Sequence, residues 1–158
     1  MKIAEVLTNR DKREIPQVLA SSSFQEVIAA MTRHPHTRLI YVVDKDRKLL
    51  GTITLGSLLR HLFPHHYEGK LHGHGILNLI TADSARHLME SREILARPQD
   101  SVEQVLARMA KTGVKEMAVL DDEERIVDDI TAIDLLRHIY PSAPDGADSA
   151  TEEQGGTP

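Results

Sequence analysis

The chain is 158 residues long, contains no cysteine or tryptophan, and carries a formal net charge of −5. Lack of cysteine excludes disulfides, a thiol nucleophile and thiolate metal sites. Net acidity with scattered basic residues argues against a long surface tracking a nucleic-acid backbone, and two Phe and three Tyr leave the core to aliphatic side chains.

Met1-Lys2 opens a mixed stretch broken by Asn9-Arg10-Asp11-Lys12-Arg13-Glu14. It does not resemble a signal peptide, and no apolar run approaches the length of a membrane span, so the expected setting is cytoplasmic, without membrane insertion. Residues 3–8 are apolar-periodic and predict a helical turn or two. Pro16 biases Ile15 toward an extended conformation. Ser23 with Glu26 signals a capping box, and Val27, Ile28 and Met31 then form one helical face that Pro35 ends. Leu39–Val43 reads as a strand, Asp44–Arg47 as a polar turn and Leu49–Thr54 as a second strand. Gly56-Ser57 leads into a helix carrying Leu58, Leu59 and Leu62 and closed by Pro64. Residues 65–80 are the least regular. They hold His65, His66, His72 and His74 among Gly69, Gly73 and Gly75, which predicts a loop.

The same order then returns. Asp83 or Ser84 starts a helix with Leu88 and Met89 on its buried side, and Ile94-Leu95-Ala96 is extended. Ser101 and Gln104 repeat the capping box ahead of Val105, Leu106 and Met109. Residues 116–120 and 125–131 are strands around an acidic turn, and a last helix runs from about Asp134 to Ile139, stopped by Pro141. The tail from 141 to 158 has no apolar periodicity and is predicted to be disordered.

The repetition is close in detail. Thr54–His61 recurs as Thr131–His138 and Tyr41–Asp44 stands opposite Ala118–Asp121, each 77 residues apart, while Ser23–Met31 matches Ser101–Met109 at a separation of 78. Two copies that cannot each cover their own apolar surface predict an α/β (α+β) protein of two repeated β-α-β-β-α units, packed with pseudo-twofold symmetry around equivalent clefts. The expected organisation is a first domain over 1–64, a linker over 65–80, a second domain over 81–140 and the tail from 141.

Residues 3 to 139 resemble a tandem pair of cystathionine β-synthase (CBS) domains, the Bateman module. In that family each domain closes with a Gly-hydrophobic-hydrophobic-Thr-x-x-Asp element. The second copy matches it at Thr131 and Asp134 but has Asp128 in place of Gly; the first keeps Gly51 and Thr54 but has Ser57 in place of Asp. The resemblance implies a regulatory module that binds adenosine-containing ligands such as AMP, ADP or ATP in clefts between its domains, regulates an unidentified partner protein and forms a homodimer. It also implies that Thr131 contacts ribose or phosphate and that Asp134 accepts hydrogen bonds from the ribose hydroxyls.

The residues support this chemistry on their own terms. A carboxylate accepts from two vicinal hydroxyls, and free N–H groups at a helix start suit a phosphate. Asp134 is equally consistent with an acid favoured at a helix start by the macrodipole. Ser57 lacks charge and predicts a weaker site, so Thr131 and Asp134 form the principal candidate and Thr54 and Ser57 the lesser one. Ile94, Leu95, Ala96, Met117 and Ala118 are the expected walls for adenine. Arg137 and Arg60 either reach phosphates or lie on the solvent face. A Zn²⁺ or Ni²⁺ site at His65, His66, His72 and His74 is a weaker alternative, because His-x-His in a glycine loop does not set tetrahedral geometry. No P-loop and no serine–histidine–acid spacing is present, so no enzyme is expected. The rival to nucleotide sensing is a structural dimerisation or docking scaffold.

Overall fold

Each repeat builds its own three-stranded sheet, and the two sheets meet face to face. The structure, a computed structural model, describes residues 1–34, 37–63, 84–90 and 94–141. The first half contains α1 (Ile3–Thr8), β1 (Gln17–Leu19), α2 (Phe24–Arg33), β2 (Leu39–Val43), β3 (Leu49–Thr54) and α3 (Leu55–Leu62). The second contains α4 (Ala85–Leu88), β4 (Leu95–Ala96), α5 (Val102–Thr112), β5 (Glu116–Leu120), β6 (Ile126–Thr131) and α6 (Ala132–Ile139). In each sheet the central strand pairs parallel to the first and antiparallel to the third, in the orders β1-β2-β3 and β4-β5-β6. The internal repeat is thus a repeat of topology.

The central strands are buried on both faces, which is why they read as unbroken apolar runs. Ile40 and Val42 face a core closed by Phe24, Val27, Met31 and Leu58. Met117 and Val119 face its counterpart, with Val105, Met109, Ile130 and Leu135. The intervening residues Tyr41, Val43, Ala118 and Leu120 point the other way, into a third core between the sheets with Leu49 and Ile126. The hairpin tips also join: the Leu49 amide donates to the Glu124 carbonyl at 3.1 Å and the Ile126 amide to the Arg47 carbonyl at 3.0 Å.

The leading helices are exchanged between the units. Ile3 and Val6 of α1 complete the second core, whereas Ala85 and Leu88 of α4 complete the first. Main-chain bonds hold each in place, from the Ile3 amide to the Asp100 carbonyl at 3.0 Å and from the Ala85 amide to the Ser22 carbonyl at 2.8 Å. Residues 9–16 therefore form a strap that crosses from the second unit to the first. The predicted linker over 65–80 and the tail beyond 141 lie outside the described residues, as does Asp83.

Candidate functional site

Both repeats end in the same strand-to-helix elbow, and a reciprocal capping box shapes each one. In the first, the Ser57 amide donates to Thr54 Oγ1 at 3.0 Å and the Thr54 amide to Ser57 Oγ at 3.1 Å. In the second, the Asp134 amide donates to Thr131 Oγ1 at 3.1 Å. Asp134 Oδ2 accepts from the Thr131 amide at 2.9 Å and from its hydroxyl at 2.8 Å. The threonines are the N-caps, so the helices begin at Leu55 and Ala132. Asp134 is therefore the third residue of α6 and not its start, because the carboxylate reaches back to its own cap. Thr131 fixes the orientation of Asp134.

The strap supplies the other partner of that carboxylate. Arg13 spans Asp134 with Nη2 to Oδ2 at 2.9 Å and Nη1 to Oδ1 at 3.3 Å, and its Nε donates to Asp129 Oδ1 at 2.8 Å. Arg10 Nη2 donates to the Asp129 carbonyl at 2.7 Å and pairs with the Asp128 carboxylate. Asp134 and Asp129 are largely buried, at 10% and 5% side-chain exposure, while Arg13 retains 35%. Burial alone pushes Asp134 toward the neutral form, but the Thr131 amide and hydroxyl and the Arg13 guanidinium outweigh it and leave the carboxyl below its ordinary range. At Asp129 burial wins over Arg13 and Arg10, and the carboxyl lies above its ordinary range. Tyr41 completes the neighbourhood. Its buried hydroxyl has no hydrogen-bond partner among the described residues, and burial followed by the charges of Asp129 and Glu116 raises its pKa well above the usual phenol value.

The first elbow meets its crossing segment differently. Thr52 and Glu90 exchange two main-chain bonds, amide to carbonyl, at 3.1 and 2.8 Å. This approach requires Gly51, since a Cβ there would stand 2.5 Å from the Glu90 carbonyl oxygen. Beside this elbow lies a cavity of about 290 Å³ whose lining includes Ser57, Arg60, His61, His87 and Glu90. Arg60 is exposed and lies 3.7 Å from Glu90.

The other expected site residues are dispersed. Ala96 and Met117 are fully buried in the second helix-covered core, and Ala118 is buried between the sheets. Their side chains pack against protein and line no open slot, because both faces of the sheet are covered. Ile94 and Leu95 are partly buried and keep some surface. Arg137 is exposed on α6. His65, His66, His72 and His74 lie outside the described residues. Among the described residues no group of three or more His, Asp or Glu is placed to hold a metal ion, and no helix is long and apolar enough to cross a membrane.

Sequence reasoning missed Arg10, Arg13, Asp129 and Tyr41. The available signal was Asp128-Asp129 inside an otherwise apolar strand. Buried acids require a cationic partner, and the basic residues just before Pro16 were unassigned.

The model of the CBS domain matches residues 4–64 and 85–141. No curated protein matches the chain. A CBS domain-containing protein from Thermotoga maritima superposes with a TM-score of 0.69 at 22% identity, covering 91% of this chain and 97% of its own. The CBS domain pair of protein MJ0100, solved in complex with 5′-methylthioadenosine and S-adenosyl-L-methionine, gives 0.65 at 19% identity over 90% and 98%. CBSX2 in complex with AMP gives 0.67 at 14% identity over 87% and 95%. With both halves matched by one family model, the chain belongs to the CBS-domain family, as a tandem pair of CBS domains.

Proposed function

We propose that this CBS pair is a regulatory module that binds an adenosine-containing ligand, such as AMP, ADP or ATP, at its strand-to-helix elbows. The observation that carries the reading is the Asp134 carboxylate. Thr131 holds it in orientation from within the elbow, while its remaining contact is a guanidinium on a separate, crossing segment. An acceptor held this way suits the two vicinal hydroxyls of a ribose. The adenosine ligands in the MJ0100 and CBSX2 structures support carrying the ligand class to this chain. Thr54 and Ser57, beside the cavity that also meets Arg60, His61 and His87, form the second and uncharged position. The bound ligand changes the fit of the module to a regulated protein.

We also propose that the module self-associates. Ile133, Leu136 and Tyr140 lie on one exposed face of α6 and its end, and Leu59 and Phe63 occupy the matching positions on α3 and its end. Helical faces this apolar are covered most simply by a second copy.

Thermal denaturation with adenosine, AMP, ADP, ATP and S-adenosylmethionine tests the ligand reading. A true ligand raises the melting temperature in a dose-dependent way. Asp134→Ala then weakens binding by about 1.5–3 kcal/mol in calorimetry, the worth of charge-assisted hydrogen bonds. No shift with any of the five leaves a dimerisation scaffold as the function.

A further inference from the structure

We infer that the strap over residues 9–16 is an ionic latch on the second elbow, with Arg13 holding the place that a ribose must take. The inference rests on the proposed role of Asp134 and concerns how that site is regulated. The two halves treat their crossing segments in opposite ways. In the first, Gly51 lets the main chain of Glu90 zip onto Thr52 through two backbone bonds. In the second, Asp128 and Asp129 stand at the equivalent positions, 77 residues on. A side chain at the glycine position keeps the strap's main chain away, and residues 10–15 make no main-chain hydrogen bond among the described residues. At one end the Pro16 carbonyl accepts from the Tyr41 amide at 2.8 Å, and between its ends the strap is held on the second elbow by side chains: Arg10 to Asp128 and Asp129, and Arg13 to Asp129 and Asp134.

A fastening made of side-chain ion pairs can be exchanged. Arg13 engages both oxygens of Asp134, the same acceptors that a vicinal diol needs, so guanidinium and ribose compete for one carboxylate. Arg13 is the more exposed of the two arginines, 35% against 14%, so salt screens it more and it yields first. Arg10 stays anchored on Asp128, and α1 remains packed in the second core. Ligand entry therefore loosens the strap without unfolding the unit.

Calorimetry with adenosine, an uncharged probe, tests this on the full chain. Wild type is compared with Arg13→Ala and with Arg13→Gln, which keeps the stem should the first variant fold poorly. Both variants are expected to bind adenosine about tenfold tighter, the equivalent of roughly 1.4 kcal/mol. Wild-type affinity rises as sodium chloride is increased, because screening weakens the latch, and the variants lose that dependence. Bound adenosine also speeds tryptic cleavage of the wild-type strap after Lys12 or Arg13. Equal or weaker binding by the variants, or slower cleavage with adenosine, overturns the latch while leaving the ligand reading intact. Binding of adenosine, AMP and ATP by none of the three proteins removes both.

Discussion

Gly51→Ala tests the backbone zipper that distinguishes the first half from the second. Gly51 sits in the middle of β3, and an added Cβ would meet the Glu90 carbonyl oxygen at 2.5 Å, Met89 Sδ at 3.0 Å and Met89 Cβ at 3.1 Å. Carbon–oxygen contacts settle at about 3.3 Å or beyond, so the Glu90 carbonyl must retreat by roughly 0.8 Å. That movement breaks the 3.1 Å bond from the Thr52 amide and strains its 2.8 Å partner. Each backbone hydrogen bond is worth about 1 kcal/mol net, and overpacking in a close contact costs about 1–3 kcal/mol. Replacing glycine in a strand returns about 0.5–1 kcal/mol of chain entropy. A net loss of about 2–3 kcal/mol follows. Urea denaturation should show a midpoint lowered by about 1 M at an unchanged slope, and hydrogen exchange should show lost protection at the Thr52 and Glu90 amides. A variant within about 0.5 kcal/mol of wild type, with both amides still protected, would refute the steric argument.

Asp134, with its pKa held below the ordinary value, contributes stability that is complete above the unfolded-state pKa of about 4 and is lost as pH falls through the folded value. Asp129, raised by burial, acts in the opposite sense, its folded state losing stability as pH climbs through the raised value. Wild type should therefore lose more stability between neutral pH and about pH 3 than Asp134→Asn does; parallel acid limbs in urea titrations would contradict the assignment. Leu136→Glu places a charge in the middle of the exposed α6 face and should shift light scattering from dimer to monomer. It should also make the melting temperature independent of protein concentration. A wild type that is already monomeric at high concentration would rule out that interface.

Local patterns carried much of the architecture. Ser23 with Glu26 and Ser101 with Gln104 announced their helices, and the structure forms both capping boxes. The runs at 39–43 and 116–120 announced strands, and the structure buries them on both faces. The repeat at Thr54 and Thr131 announced two equivalent elbows, although the helices start earlier than the sequence suggested because Ser57 and Asp134 turn back onto their caps. These features depend on residues three or four apart and on the alternation of a strand, and such short-range preferences are written in the chain itself.

The tertiary structure alone decided which groups meet across the units. Arg13 and Asp134 are 121 residues apart, and nothing near either one names the other. Their encounter follows from the exchange of α1 and α4, which sends one strap across acids and the other across Gly51. Ala96, Met117 and Ala118 were expected to line a slot and are core, because a strand's periodicity says which residues share a face but not what covers that face. Ion pairing and access depend on the placement of whole units, and that placement is set by the sum of the three cores rather than by any local stretch of sequence.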